Sequence, residues 1–367
     1  MKHPLRLLAL AAALAAFASA QNLTLPAASP RAGVSQTIGI TKVSVDYSRP
    51  AVNQREVWGK LVPYGLNDLG FGTTTASPWR AGADMNTVVT FQHDVQVAGS
   101  PLPAGAYGLH MILAQDGAVT VIFSKDSASW GSFFYDPSRD ALRVQSKLED
   151  NAEHHELLTY EFSGISKNGA TLSLLWEKKR IPIAFTVDTD AQVVATLKQE
   201  LSNANGFDDR AWAAASNYLV QNNLDLNLAL AWAENAASNR TGQPSFAALS
   251  QKAVVLEKLG RGAEALAAMD QALPIGSVLQ IHQYGRRLIG IKQFAKALEV
   301  FKYNAQRFPD VWPVNYGLAR GYSAVGDYKS ALDALLKAQK QIPGGDTVNT
   351  AAIATNIEKL KRGENIN

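Results

Sequence analysis

Two hydrophobic patterns divide this chain. Between residues 33 and 187, apolar and polar side chains alternate with a period of two, and Gly, Pro, Asn and Asp interrupt the short apolar runs. Beyond residue 190, apolar positions recur at the spacing of one helix face. A period of two is typical of half-buried strands, and a period of 3.6 is typical of amphipathic helices. The patterns therefore predict a multidomain β + α chain, an all-β domain followed by an α-helical one.

The alternation in the first half indicates antiparallel strands. Tyr107, Leu109, Met111 and Leu113 share one face of a predicted strand. Asn168-Gly169 separates two apolar runs and is a strong signal for a two-residue hairpin turn. About eight strands at this spacing favour an antiparallel β-sandwich or jelly-roll-like domain over a parallel sheet.

The helical half repeats itself. Pro309 and Pro343 lie 34 residues apart, and each closes an amphipathic pair of helices. Small residues at the predicted helix crossings follow the same period with small drifts, at Ala229, Ala265, Ala297 and Ala331. An ordinary bundle of Ala-rich helices is the alternative, but a bundle does not need Pro, Gly and Ala in one register. The period favours a stack of helical pairs.

The best-formed unit resembles the tetratricopeptide repeat. Asn315 stands at its consensus Trp position, and Lys292 stands where the preceding unit should carry the turn Gly. The resemblance implies a solenoid whose concave face, built largely by the first helix of each pair, binds other polypeptides. The residues that carry it are Leu318, Ala319, Tyr322, Gly326, Asp327, Tyr328, Ala331, Leu335 and Ala338.

This register places the first helices at about residues 247–258, 279–290 and 313–324. It makes Gln283, Arg286, Arg287 and Arg320 the candidates for the concave surface. Three arginines there would suit an acidic or carboxylate-ended peptide, because the guanidinium fork takes a carboxylate bidentately. Solvated charges on a helix surface are the alternative explanation.

The first twenty residues predict an export signal. Lys2 and Arg6 precede an apolar run over residues 7–17, and Ala18-Ser19-Ala20 presents small residues at the cleavage position. The apolar run is too short to span a bilayer. We therefore expect a periplasmic or secreted, soluble protein with no membrane span. With no Cys, it can have neither disulfides nor a thiolate metal site.

Charge argues against a nucleic-acid partner. The formal net charge is +3, and removal of Lys2 and Arg6 with the signal leaves +1. A near-neutral chain lacks the basic patch that phosphate backbones require. The side chains of His154-His155-Glu156 are of the types that bind metal ions. Adjacent residues of a strand point to opposite faces, however, so His154 and His155 could not easily share one ion. We accordingly expect no metal and no cofactor.

Four ordered blocks of the β domain resemble the bacterial family catalogued as domain of unknown function 2911. The blocks are residues 47–50, 59–65, 79–83 and 102–107. The resemblance covers about residues 29–187 and implies an exported protein without an established activity. The chain departs from the family pattern at Gln54, where Gly is common, at Asp84, where Asn is common, and in a longer loop over residues 66–78.

Arginine and aromatic residues in these blocks are the candidate ligand site of the β domain. A guanidinium beside aromatic faces can recognise a sugar or a peptide. The alternative is that each Arg simply bonds loop carbonyls. The candidate residues are Tyr47, Arg49, Trp79, Arg80, Asp84 and His110.

The predicted organisation has five segments. They are a signal peptide at residues 1–20, a β-sandwich at 29–188, a connecting helix and linker at 189–207, tetratricopeptide-like repeats at 208–345, and a capping helix with tail at 346–367. The leading hypothesis is a non-enzymatic exported scaffold whose repeats bind a protein or peptide. The alternative is an envelope hydrolase acting on glycan or peptide through the Arg49, Arg80 and Asp84 surface.

Overall fold

The computed structural model describes residues 26–238 and 244–367. The predicted signal peptide at residues 1–20 lies outside the described residues. The chain forms two compact units, Met1–Ala195 and Thr196–Asn367. The first unit holds the strands, and the second holds the helical pairs.

Ten antiparallel strands form two sheets in the described part of the first unit. One sheet has the order β1-β2-β3-β6-β7-β8, and the other has the order β5-β4-β10-β9. The strands are β1 Arg31–Ile38, β2 Thr41–Ser48, β3 Val88–Phe91, β4 Val95–Val97, β5 Ser100–Leu102, β6 Gly105–Leu113, β7 Ala118–Ser124, β8 Asp140–Lys147, β9 Glu149–Ser163 and β10 Gly169–Thr186. The sequence predicted about eight, because strands as short as β4 and β5 carry no visible period.

The two sheets enclose one core, and the strand alternation decides which side chains enter it. Tyr107, Leu109, Met111 and Leu113 all point into the core, as the pattern predicted. Aromatic rings join the sheets: the centroids of Phe91 on β3 and Phe185 on β10 lie 5.9 Å apart. Unlike a half-exposed strand, β6 is buried on both faces over most of its length. A loop over residues 125–139 covers its outer face, where His110 lies.

Ten α-helices follow in the described residues. They are α1 Thr189–Glu200, α2 Asp209–Gln221, α3 Leu226–Ala236, α4 Phe246–Lys258, α5 Gly262–Ala272, α6 Val278–Gly290, α7 Phe294–Arg307, α8 Trp312–Ala324, α9 Tyr328–Gln341 and α10 Thr347–Lys361. Helices α2 to α9 form four successive pairs. Among the described residues, no helix has the length and apolar character that crossing a membrane requires.

The local sequence sets where these helices begin. At α6, the Ser277 hydroxyl accepts the Gln280 N–H, and the Gln280 side chain accepts the Ser277 N–H, which makes a capping box. At α9, the Asp327 carboxylate accepts the Ser330 N–H at 3.1 Å. The three first helices predicted from the repeat register agree with α4, α6 and α8 to within one residue. Ala331, predicted at a helix crossing, is fully buried.

The turn inside each helical pair requires a left-handed residue. The residues with positive φ are Gly260 (76°), Lys292 (63°) and Gly326 (84°) in the last three pairs. The left-handed conformation costs a residue with a Cβ atom about 1–2 kcal/mol of conformational free energy, and glycine does not have this cost. Lys292→Gly should therefore raise the free energy of unfolding by about 0.5–1 kcal/mol, after the entropy cost of glycine is subtracted. Urea denaturation followed by circular dichroism would measure it.

The reciprocal change is the matched control for this prediction. A Cβ at Gly326 would meet open space, so Gly326→Lys tests backbone conformation without a steric clash. It should destabilise the protein by a similar amount. Equal stabilities of Lys292→Gly and the wild type would contradict a strained turn at Lys292.

Candidate functional site

A cavity of about 430 Å³ opens on the β unit. Its walls come from the segment after β2, the loop before β3, and β10. This volume falls within the range of small-molecule sites. The lining residues are Ala28, Ser29, Pro50, Ala51, Asn53, Arg55, Leu61, Val62, Pro63, Asn67, Leu69, Ser77, Pro78, Trp79, Arg80, Gly82, Ala83, Ser132 and Trp176.

Three tryptophans cluster at this site, and two of them, Trp79 and Trp176, are among the lining residues. The ring of Trp79 stacks on that of Trp176, with centroids 6.1 Å apart and an interplanar angle of 15°. Trp58 meets both rings edge-on at 6.0 Å. Two backbone hydrogen bonds to Met111 on β6, at 2.9 and 2.8 Å, fix the position of Trp79. The indole Nε1 atoms of Trp58 and Trp176 are buried and have no hydrogen-bond partner.

Two arginines supply the charge of the cavity wall. The Arg80 guanidinium lies 4.8 Å from the Phe133 ring centroid, and its Nη1 donates to the Asp84 carbonyl at 2.5 Å. Burial lowers the Arg80 pKa, and the Asp84 charge opposes this effect. Arg55 donates its Nε to the Val52 carbonyl at 3.1 Å. The described lining residues include no Asp or Glu, although Asp84 acts electrostatically on Arg80, and Arg55 acts on Glu156.

His110 lies behind the cavity wall. Its Nδ1 is 2.9 Å from the hydroxyl of Ser132, and the His110 ring meets the Tyr135 ring edge-on at 5.4 Å. The residue is 2% exposed, and burial lowers its pKa to about 4. The nearby charge of Arg80 acts in the same direction, whereas that of Asp126 opposes it. The imidazole is therefore neutral at pH 7.

The cavity contains two of the six candidates predicted from the β-domain sequence, Trp79 and Arg80, and His110 borders it. The structure places Tyr47 in the core, where its hydroxyl accepts the Tyr160 N–H at 3.1 Å. It ties Arg49 to β9 through the Leu158 carbonyl at 2.8 Å and the Thr159 hydroxyl at 2.6 Å. Asp84 contributes its carbonyl to Arg80 but does not line the cavity.

Sequence reasoning missed several lining residues. Trp176 fits the alternation of a core strand, so its pattern alone gives no functional signal. Ser132 lies in a loop, and Asn53 lies in a turn where its own φ is 47°. Arg55 lies between the first two family blocks, residues 47–50 and 59–65, and this position was the available clue. Ring stacking between Trp79 and Trp176 depends on the sheet topology, which local patterns do not contain.

The first helices of the repeat unit carry the second candidate surface. Leu279, Gln283 and Arg286 follow one another along an exposed face of α6 at positions i, i+4 and i+7. Leu279 is 60% exposed. Neither Gln283 nor Arg286 makes a hydrogen bond or ion pair with its side chain to any described residue. This stripe is therefore available to a ligand.

The other two predicted arginines already have partners. Arg287 forms an ion pair with Glu257 on α4. The Arg320 guanidinium lies 4.7 Å from the Tyr316 ring centroid, and its Nη1 donates to the Ile366 carbonyl at 3.3 Å. Its Nε is buried without an acceptor. Arg287 and Arg320 thus contribute to the structure of the repeat unit as well as to its charge.

The pKa of His282 depends on the charges beside this stripe. Its pKa is lowered to about 4, mainly by burial and then by the charges of Arg320 and Arg286, in that order. A hydrogen bond to the Pro313 carbonyl acts in the opposite direction. Arg286 on α6 and Arg320 on α8 are 34 residues apart, one repeat, and both act on this imidazole. Within the described residues, no cluster of three or more His, Asp or Glu could hold a metal.

Residues 29–185 match the model of the family described as protein of unknown function (DUF2911), which confirms the predicted resemblance. The two point departures from the family pattern have a common physical basis. Gln54 has φ 57° and Asp84 has φ 56°, in the left-handed region. Gly tolerates this region without cost, and Asn visits it more readily than most residues. Gly and Asn are therefore the residues that these two turns favour.

The structural neighbours of the helical region are tetratricopeptide repeat (TPR) proteins. YrrB, a TPR protein with an unusual peptide-binding site, is 21% identical over 45% of this chain and 81% of its own, with a TM-score of 0.31. The C-terminal part of a TPR repeat-containing protein from Cytophaga hutchinsonii is 13% identical, with a TM-score of 0.35. The match covers 47% of this chain and 66% of that protein's chain. MamA from Desulfovibrio magneticus RS-1 is 19% identical, with a TM-score of 0.28. The match covers 42% of this chain and 95% of the MamA chain. No curated protein matches the chain.

Proposed function

We propose that the helical unit binds an acidic peptide segment of a partner protein along its first helices. The binding surface would be the stripe of Leu279, Gln283 and Arg286 on α6, continued by Arg320 on α8. The observation that carries this proposal is the exposed Arg286 side chain, which has no partner among the described residues and lies one repeat from Arg320; the charges of both arginines lower the pKa of His282. Because neither guanidinium is paired with a carboxylate of the described residues, a carboxylate of a ligand can take that place.

The stripe also has the chemistry that a peptide needs. Leu279 offers an exposed apolar contact. Gln283 offers an amide that can donate to and accept from a peptide backbone. One repeat separates Arg286 from Arg320, so a peptide lying across successive first helices would meet both. A peptide with alternating apolar and acidic side chains fits this order of groups.

A fluorescein-labelled peptide that alternates leucine and glutamate is a suitable probe. Its fluorescence anisotropy should rise with protein concentration. Arg286→Glu should weaken this binding at least about tenfold, because a carboxylate-guanidinium contact becomes a repulsion. A peptide with glutamine in place of glutamate should bind the wild-type protein at least about tenfold more weakly.

Lys340→Glu is the matched control, since Lys340 is exposed on the second helix α9 and the change in net charge is the same. It should leave the affinity within about twofold. Thermal unfolding of both variants would show that the helices remain folded. Equal binding to Arg286→Glu and the wild type would eliminate the stripe as the peptide site, as would absence of binding by the wild type.

We also infer that the protein is exported and that its β unit is a sandwich. Export rests on the sequence of residues 1–20. The sandwich rests on contacts between the sheets, such as the rings of Tyr47 on β2 and Tyr160 on β9, whose centroids are 4.8 Å apart. The predicted boundaries at residues 29–188, 189–207, 208–345 and 346–367 form part of this proposal.

Binding is favoured here over the hydrolase alternative. Hydrolysis through a covalent serine intermediate needs an accessible nucleophile beside a competent base. Ser132 and His110 have the required proximity, but Ser132 is 1% exposed. An imidazole with a pKa of about 4 is also a weak base at neutral pH. Asp126, whose charge could raise that pKa, is paired with Arg139 at 2.9 Å.

A further inference from the structure

The cavity of the β unit places two arginines beside an aromatic wall, and two indole donors near it have no acceptor among the described residues. Arg55 and Arg80 line it, and no acidic side chain does. Trp176, which is 1% exposed, has a buried Nε1 without a partner, and the neighbouring Trp58 has the same deficit. Buried donors are normally paired, because an unmade hydrogen bond is costly. Both Nε1 atoms are closed to solvent, so a ligand in the cavity would instead meet the guanidinium groups of Arg55 and Arg80.

Polar groups at the mouth of the cavity are also free. The side-chain amide of Asn53 makes no hydrogen bond with a described residue. Asn67 uses its Nδ2 to bond the Gly65 carbonyl at 3.2 Å, which leaves its Oδ1 available. Amide groups of this kind bind hydroxyls, because they both donate and accept. A purely apolar anion would leave them unused.

The tryptophan cluster provides a flat surface beside these polar groups. Trp79 lines the cavity as a partly exposed ring, and the almost fully buried ring of Trp176 supports it by stacking. The C–H face of a pyranose ring is apolar and packs on aromatic rings, while its hydroxyls point sideways towards polar groups. The cavity volume of about 430 Å³ suits one or two such rings.

We propose that this cavity binds an acidic saccharide of the uronic acid class. Its carboxylate would lie against Arg80, its ring against Trp79, and its hydroxyls towards Asn53 and Asn67. This site is separate from the peptide stripe on the helices. Its success or failure is therefore independent of the proposed peptide binding.

Glucuronate titrated into the full-length protein is the direct test, with isothermal calorimetry and intrinsic tryptophan fluorescence as readouts. Saturable binding with a Kd of about 1 mM or tighter is expected for a ligand of this size. Glucose, which lacks the carboxylate, should bind at least about tenfold more weakly. Cyclohexanecarboxylate, which lacks the hydroxyls, should also bind at least about tenfold more weakly.

Two variants test the assigned contacts. Arg80→Gln should weaken glucuronate binding at least about tenfold. Arg180→Gln is its control, because Arg180 makes an exposed ion pair with Glu149 on the same unit and does not line the cavity. Asn53→Gly removes the amide, and its φ of 47° is well tolerated by glycine. This variant should bind glucuronate more weakly than the wild type but should bind cyclohexanecarboxylate with unchanged affinity.

Each alternative ligand class gives its own result. Glucose binding as tightly as glucuronate would overturn the anionic class. Cyclohexanecarboxylate or inorganic phosphate binding as tightly as glucuronate would overturn the saccharide class. Absence of glucuronate binding, or undiminished binding by folded Arg80→Gln, would overturn the proposal. If Arg80→Gln fails to fold, the Asn53→Gly variant becomes the test. Glucuronate binding by Asn53→Gly as tight as that by the wild type would overturn the proposed contacts.

Discussion

Replacing Phe301 by alanine should lower the free energy of unfolding of the repeat unit by about 3–5 kcal/mol. Phe301 on α7 is 1% exposed, and its ring fills a niche between α6 and α8. Glycines form the walls of this niche. A Cβ built on Gly285 would lie 2.6 Å from the Phe301 ring, and one on Gly317 would lie 2.7 Å from it. Because the walls are helical backbone held by hydrogen bonds, they cannot collapse into the space.

Phe294→Ala is the matched control, since Phe294 begins the same helix but is 37% exposed. It should cost less than about 1 kcal/mol. Urea denaturation followed by far-UV circular dichroism measures both, because the helical signal reports the repeat unit. Equal losses in the two variants would contradict a specific niche for Phe301.

The glycine walls allow a coupling measurement. Gly317→Ala alone should destabilise the unit, although alanine is the better helix former, because its methyl group would overlap Phe301. In the double variant that combines Phe301→Ala with Gly317→Ala, the methyl group of residue 317 enters the space left by the Phe301 ring. The combined loss should therefore be smaller than the sum of the two single losses.

Acidification from pH 6.5 to pH 4 should destabilise the β unit through His110 by up to about 3 kcal/mol. Its folded pKa is about 4, mainly because of burial, with Arg80 adding to the effect. In the unfolded chain the pKa is about 6.5. Between these values the unfolded state binds a proton that the folded state does not, so stability falls as pH falls. Below about pH 4 both states are protonated, and this contribution stops changing.

His110→Gln removes the titrating group while keeping a polar side chain near Ser132. Its unfolding free energy should depend less on pH between 6.5 and 4 than that of the wild type, with tryptophan fluorescence as the readout. His154→Gln is the control, because His154 is exposed on β9. A parallel decline in the wild type and His110→Gln would mean that His110 makes no such contribution.

Local patterns account for the elements of both units. The alternation over residues 33–187 predicted antiparallel strands, but the two-residue turn predicted at Asn168-Gly169 was wrong, because β10 begins at Gly169 and the five residues 164–168 connect it to β9. The 34-residue period placed the first helices to within one residue, because caps, turns and the crossing alanines recur at fixed offsets. Such signals are local, so a sequence contains them directly.

The positions of the candidate groups depend instead on contacts between distant segments. Arg49 and Arg80 look alike in sequence, yet one bonds β9 and the other lines the cavity. Arg286 and Arg287 are adjacent, yet Glu257 pairs with Arg287 and leaves Arg286 free. These differences follow from which side of a strand or helix faces a neighbour.

The sequence by itself thus determined the two architectures and their helix and strand positions, because hydrophobic period and turn residues act over a few neighbouring positions. Only the tertiary structure decided that Trp79 would stack on Trp176 and that Ser132 would lie beside His110. Sheet order and strand register bring these residues together. Both depend on burying the whole core at once, and no short segment specifies that burial.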